Sequence, residues 1–536
     1  MRERTNEIEL ERDVAVPMPD GAVLRADVFH PVGVADAPTI LERTPYGRAN
    51  VGHFGGGPEF AKRGYRYVIQ ACRGTDGSEG RHSFFGEGVD GRATADWIAE
   101  QPWFDGRLGS YGASYMGFTQ WALAATKPPY LRAMAVALST AMRQWSWFAG
   151  DSVALELIVS WDLSAMDFGN PDAVPVVSDV TPEAIAARME QLRAAYEHLP
   201  VGDIIRFMKG DDYPFFLEQL AHASLDDPKW SVVDFRNLLP DWSVPTLLVD
   251  GWHDYPLPGV IRDFQVLRDA PAPVHLRIGA GGHLGGGGEG GMTDAPLDWF
   301  DTFLLGRDGL LDERPVAVHI QGDAPEWRRY AEWPPPATPT PWYLQPDGGL
   351  ATTEPPESTP DTHHYDPTDP TPAVGGIGMI SGGMADNRAL EARDDVVLYT
   401  SAALDEPLVL LGPVQAEIHL ATTNDFTDVF VRLCDVHPDG ASFNVCDALQ
   451  RYTPATIAAG ADGVFVARID LWPAGHRFGV GHRVRVQVSG GAHPTYARNL
   501  GTDEPLATAV RTVPADHTVQ HDPVHPSHLV LPHAAG

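Results

Sequence analysis

Short apolar runs alternate with helical patterns over residues 38–138. "PTILER" (38–43), "YRYVIQAC" (65–72), "RLGSY" (107–111) and "LRAMAVAL" (131–138) read as strands. Between the last two, Phe118, Trp121, Ala122 and Ala125 recur at i, i+3, i+4 and i+7, which predicts a helix over 115–127 with one apolar face, closed by Pro128. Strand and helix in alternation imply a parallel sheet covered by helices. The pattern stops near 141 and returns near 243 with "VPTLLVDGW", "PGVIRDFQVLRDA", "PVHLRIGAGGH" and "APLDWFDTFLLG". The intervening "SVALELIVSWDLSAM", "TPEAIAARMEQLRAAYEHL" and "DDYPFFLEQLAHASL" are helical, the second opening on a Thr-Pro-Glu start. Past about 312, proline-rich and turn-rich stretches precede short strands such as "LVLLGPVQAEIHLA", "DVFVRLCDV", "GVFVARIDLW" and "HRVRVQVSG", the pattern of a β-sandwich or jelly roll.

A chain of 536 residues exceeds what one core organises, so two or three domains are expected. No apolar run approaches the roughly 20 residues of a membrane span, so no membrane partner is expected. The formal net charge of -33 disfavours a nucleic-acid partner. Cys72, Cys434 and Cys446 show neither CxxC nor zinc-like spacing, and are expected reduced and buried, with no structural metal. The opening "MRERTNEIELERDVAV" lacks the apolar core of a secretory signal, which makes a cytoplasmic location the expectation.

Ser114 stands in "GSYGASYMGF" (109–118), directly after a strand pattern and before a helical one. A serine hydroxyl is a weak nucleophile until a base takes its proton and a third group orients that base. A tight strand-to-helix turn with small neighbours presents such a serine against a positive helix N-terminus, as in the α/β-hydrolase fold. The spacing here is GxSxxG rather than GxSxG, which unrelated glycine loops also show. The fold's chain order, Ser then Asp then His, is a second criterion. Asp250 and Asp254 follow one later strand, and His283 lies in a glycine-rich loop after the next, all at the carboxyl edge where open α/β sheets bind ligands. Asp250 competes with Asp254 and could instead cap the backbone, while His253 competes with His283 as the base. His275, inside a strand, reads as a packed histidine.

The expected class is therefore α/β: an α/β-hydrolase domain in two parts (1–140 and 243–312), a helical cap (141–242) and a C-terminal β jelly-roll or sandwich domain (313–536). Nearly the whole chain resembles the CocE/NonD family of serine hydrolases, the family of cocaine esterase and the X-prolyl dipeptidyl peptidases. "CRGTDGSEG" (72–80), "DWIAEQPWFDGRLGSYGASYMGFTQWALA" (96–124), "GWHDYPLPG" (251–259), "DWFDTFLLG" (298–306), "DVHPDGAS" (435–442) and "PAGHRFGVGHRVRVQVSG" (473–490) carry the resemblance. It implies Ser114 as nucleophile, Asp254 as orienting acid and His283 as base. "ERTPYGRAN" resembles the segment of an oxyanion-hole tyrosine, which implies Tyr46 as side-chain donor and the Tyr115 N–H as backbone donor. Where the family carries an aromatic just before its histidine, this chain has "GAGGH", and Ala71-Cys72 replace the usual Asp before Arg73.

These readings combine into a carboxylic-ester hydrolase working through an acyl-enzyme without metal or organic cofactor. Its partner would be a small-molecule ester or amide, with self-association into a homo-oligomer left open. Trp161, Tyr213, Phe215 and Phe216 in the cap are expected to line an apolar pocket. The alternatives are an X-prolyl dipeptidyl peptidase or amidase of the same family, disfavoured by the lack of an evident acidic cluster for a substrate amine, and an inactive scaffold whose β domain binds a ligand. A histidine base predicts activity rising with pH near neutrality.

Overall fold

The chain begins with two strands that its apolar pattern does not announce. Ile8–Pro17 (β1) and Val23–Pro31 (β2) pair antiparallel, and β1 alternates exposed charges with half-buried apolar residues as an edge strand does. In this computed structural model, which describes residues 3–51, 56–168, 182–285, 287–288, 290–379 and 382–534, the sheet continues through Thr39–Thr44 (β3), Arg66–Ala71 (β4), Leu108–Ala113 (β5), Leu131–Ala137 (β6), Thr246–Gly251 (β7), Val274–Gly279 (β8) and Val316–Gly322 (β9). Its spatial order is β1-β2-β4-β3-β5-β6-β7-β8-β9, antiparallel at β1–β2–β4 and parallel from β4 onward. β3, β4 and β7 are buried at every position, which is why they read as short unbroken runs rather than as alternation.

This is the α/β-hydrolase arrangement, and it places the loops after β5, β7 and β8 side by side at one edge. The helix expected over 115–127 spans Tyr115–Ala125 and is buried almost throughout. Between β6 and β7 the chain forms the helices Leu155–Ala165, Pro182–Glu197, Ile204–Lys209 and Pro214–Ala221. Thr181, the expected start of the second, lies outside the described residues. The apolar cluster of this insertion, with Trp147, Trp161, Phe216 and Trp230, also takes in Phe84, Tyr115 and Tyr255 from the sheet side, so one core joins insertion and catalytic edge.

The C-terminal region is a sandwich of antiparallel strands. Leu408–Thr422 pairs with Phe465–Phe478 and with His528–Ala534, while Thr427–Val436 pairs with Ser442–Tyr452 and Arg483–Ser489. β9, which lies past the expected division at 312, pairs in parallel with β8 and, at Gln321–Gly322, with His476–Arg477 of the sandwich. The two sheets are thus hydrogen-bonded into one. All three cysteines are free and buried. Among the described residues no helix is long and apolar enough to cross a membrane.

Candidate active site

Ser114 sits between β5 and the Tyr115–Ala125 helix at φ 57°, ψ -120°, a backbone conformation that costs an L-residue on the order of 1–3 kcal/mol and that packing must hold. The small residues around it are there for space. A Cβ at Gly112 would stand 2.5 Å from Met116 Cβ, and one at Gly117 would stand 2.5 Å from Ser139 Cβ, so the helix can cross the loop after β6 only with glycine at 117. That close crossing accounts for a second glycine one residue later than in the common motif.

The three loops meet. His283 Nε2 lies 2.8 Å from Ser114 Oγ, and His283 Nδ1 lies 2.8 and 3.1 Å from the two oxygens of Asp254. Of the competing residues, Asp250 accepts a hydrogen bond from Gly251 N at 2.7 Å, and His253 is buried in the adjoining loop with its Nε2 unpartnered among the described residues. His275 packs at 5.2 Å against the Trp299 ring. The glycines before His283 belong to a tight junction: Trp252 N donates to Gly279 O, His253 N donates to Gly281 O, and a Cβ at Gly251 would come within 2.5 Å of Gly281 O. Trp472 Nε1 from the sandwich donates to Asp254 O at 3.3 Å and Trp252 Nε1 to His319 O at 2.6 Å, so both sheets brace the aspartate loop.

Burial dominates the electrostatics. It pushes the His283 imidazole down to about 4, with Arg143 lowering it further and Asp250 opposing, so at neutral pH the ring is unprotonated at one nitrogen and able to accept the serine proton. Burial also raises both Asp250 and Asp254, Asp250 further because the Asp254 carboxylate stands beside it. The two carboxyls therefore titrate as a pair, and Asp254 is the member whose oxygens lie within hydrogen-bond distance of His283 Nδ1.

Tyr46 is half-buried, its hydroxyl accepting from Trp161 Nε1 at 3.3 Å and hydrogen-bonded to Ser114, and desolvation raises its pKa so that it stays a proton donor. Tyr115, the first residue of the helix, is fixed by its own hydroxyl, which donates to Glu87 Oε1 at 2.8 Å while His82 Nε2 lies 2.9 Å away. That anchorage holds the Tyr115 N–H beside Ser114, among the N–H groups that a helix start leaves without intrahelical acceptors.

Rings enclose the remaining side. Trp161 stacks parallel to Tyr115 at 6.0 Å and lies 4.9 Å from Phe84, which stacks on Phe215 at 5.2 Å, and Tyr213 follows at 6.2 Å from Phe215. Phe216 is fully buried in the core of the insertion.

Three neighbours escaped the sequence reading. Tyr255 stacks on the His283 ring at 4.6 Å with its hydroxyl 3.1 Å from Nε2, giving the imidazole the aromatic support that "GAGGH" does not supply. Its place directly after Asp254 was the available signal. Phe84 and Arg143, the latter's guanidinium 5.4 Å from the Phe84 ring and 5.2 Å from Trp147, had none, because their approach depends on how the insertion folds back.

Comparison with known proteins gives this arrangement a context. Residues 20–285 match the X-Pro dipeptidyl-peptidase (S15 family) and residues 309–530 the X-Pro dipeptidyl-peptidase C-terminal non-catalytic domain. The cocaine esterase of Rhodococcus sp. (strain MB1 Bresler) is 30% identical over 576 residues, covering 97% of this chain and 98% of that protein. Among solved structures, an α-amino acid ester hydrolase (23% identical, TM-score 0.82, 99% and 97% of the two chains) and an aminopeptidase from a marine sediment Thaumarchaeota archaeon (22%, 0.82, 100% and 97%) share the fold.

Proposed function

The chain belongs to the CocE/NonD and X-Pro dipeptidyl-peptidase (S15) family of serine hydrolases, and from that premise we propose that it cleaves carboxylic esters through Ser114, His283 and Asp254. The carrying observation is the unbroken contact from Ser114 Oγ through both nitrogens of His283 to Asp254, each link at 2.8 Å. His283 Nε2 accepts the proton as Ser114 Oγ attacks the carbonyl carbon. The oxyanion is held by the Tyr46 hydroxyl and the Tyr115 N–H. Protonated His283 returns its proton to the departing alkoxide, leaving an acyl-serine and a free alcohol. Water then gives its proton to His283, adds to the acyl carbon, and releases the acid with the serine restored.

In this reading 1–140 and 243–312 form the catalytic domain, 141–242 the cap that desolvates it, and 313–536 a domain that braces the aspartate loop. The acyl pocket is formed by Trp161, Phe215 and Tyr213, with Phe216 backing them from the core. The ester reading draws support from the full-length likeness to an esterase.

One observation favours a second reading, hydrolysis of amino-acyl esters or amides. Asp162, beside Trp161 in the chain, is fully buried and among the described residues neither of its carboxyl oxygens has a hydrogen-bond partner, a deficit that a substrate ammonium would fill. Turnover of p-nitrophenyl acyl esters, set against α-amino esters and an Ala-Pro anilide, separates the two. Fluorophosphonate labelling that persists in Ser114→Ala would sink both.

A further inference from the structure

Outside the candidate active site, a second knot of imidazoles surrounds a single carboxylate. Asp435 is the penultimate residue of the strand Thr427–Val436 and is completely buried, yet among the described residues its ionic partners are only histidines, with neither lysine nor arginine. Its Oδ1 lies 2.8 Å from His482 Nδ1, its Oδ2 lies 2.9 Å from His476 Nε2, and His437 Nε2 stands 3.7 Å from Oδ2. The His437 and His482 rings are 4.4 Å apart. A buried carboxylate without a permanent cation must be neutralised by a proton on an imidazole or by a bound ion.

We propose that Asp435, His437 and His482 form a binding site for one divalent transition-metal ion of the zinc class. One ligand atom from each lies within 4.8 Å of the others. Ligands about 2.0–2.1 Å from a tetrahedral zinc are separated by roughly 3.3 Å; His482 Nδ1 lies 2.8 Å from Oδ1 and His437 Nε2 3.7 Å from Oδ2, so a bound ion would draw the two imidazoles onto the carboxylate from either side by side-chain rotation on the two turns. Two imidazoles and a carboxylate suit zinc, cobalt or nickel rather than calcium or magnesium. The outer support is present as well: His476, fully buried, donates to the second oxygen of Asp435, orienting the carboxylate as metal-bound carboxylates are oriented elsewhere. His437 and His482 are only partly buried, on the turns after Val436 and before Arg483, which leaves an entry path and room for water as a further ligand. The ion would pin two turns at one end of the sandwich.

The full-length chain, freed of metal with a chelator and titrated with Zn²⁺ near pH 7.5, tests this by calorimetry and by elemental mass spectrometry after gel filtration. One retained equivalent is expected, with none of Ca²⁺ or Mg²⁺, and Co²⁺ should give visible bands of low-symmetry coordination. His437→Ala should weaken Zn²⁺ binding at least tenfold; His437 is partly exposed on a turn, and circular dichroism checks that the variant folds. Should it not fold, the Co²⁺ spectrum of the wild-type chain decides, since bands of the hexaaqua ion alone count against the site. His283→Ala guards against zinc captured by the active-site imidazole. Retention in His283→Ala with loss in His437→Ala supports the proposal; the reverse pattern, or no equivalent bound by the wild-type chain at 100 μM zinc, overturns it.

Discussion

Two buried aspartate–histidine constellations stand out among the described residues, with the same hydrogen-bond length, 2.8 Å from Asp254 to His283 and 2.8 Å from Asp435 to His482, and only one has the makings of a reaction. His283 turns its second nitrogen to a serine held in a strained turn, beside a tyrosine hydroxyl and a helix start, beneath an aromatic cover. The Asp435 cluster faces further imidazoles at the partly open end of a sandwich. A carboxylate that steers an imidazole is thus a reusable part. Its use is set by what meets the imidazole's other nitrogen and by how far water is excluded.

Substitutions that sever the first constellation should separate it most sharply from the second. Ser114→Ala should lower kcat for an aryl ester by roughly 10⁴-fold or more with an unchanged Tm, and Asp254→Asn should lower it by about 10⁴-fold, since the amide no longer holds His283 in the working tautomer. Asp435→Asn should instead read out in folding, lowering stability by about 1–3 kcal/mol in chemical denaturation, because the amide NH2 replaces the oxygen that one of the two bonded imidazoles needs. If Asp254→Asn cost stability alone, the proposed division between the two constellations would fail.

Tyr46→Phe comes next in size. It removes the proposed oxyanion donor and keeps the ring, so kcat should fall by roughly 10²- to 10³-fold with KM little changed. A change confined to KM would assign Tyr46 to substrate binding. The pH profile is gentler. A protonated imidazole cannot accept the serine proton, so kcat/KM should be level from about pH 6 to 8 and fall only as the pH drops through the depressed His283 value of about 4, well below an ordinary histidine. A limb centred near 6.5 would mean that the Asp254 carboxylate beside Nδ1 offsets the desolvation of the ring.

The same contrast explains what the sequence could reveal. β3, β4 and β7 are buried on both faces and show as apolar runs, whereas β1 mixes Glu9, Glu11, Arg12 and Asp13 into its length and reads as a charged tail. The placing of Ser114 and His283 on neighbouring loops at one sheet edge was legible because strand, turn and glycine are local signals, and chain order ranked the candidates. The choice of Asp254 over Asp250 was not legible from spacing, because both lie on one loop and only the direction of each carboxyl separates them. The Phe84, Arg143 and Trp147 group was invisible, being made where distant segments close on each other.

The smallest expected effect probes the contact that distinguishes the two histidine environments most finely. The Tyr255 hydroxyl lies 3.1 Å from His283 Nε2, the nitrogen that must receive the serine proton, and desolvation keeps that hydroxyl protonated. Donating to Nε2, it stabilises the neutral ring and competes with Ser114 for the same lone pair. Tyr255→Phe keeps the 4.6 Å stack and removes the donor, so the imidazole becomes more basic. The acid limb of kcat/KM should then move toward neutral pH by about 0.5–1 pH unit, the equivalent of one hydrogen bond, while the plateau changes less than tenfold. A limb that stayed in place with a plateau lowered a hundredfold would mean that the hydroxyl serves the reaction itself, and that His283 owes its low basicity to burial alone.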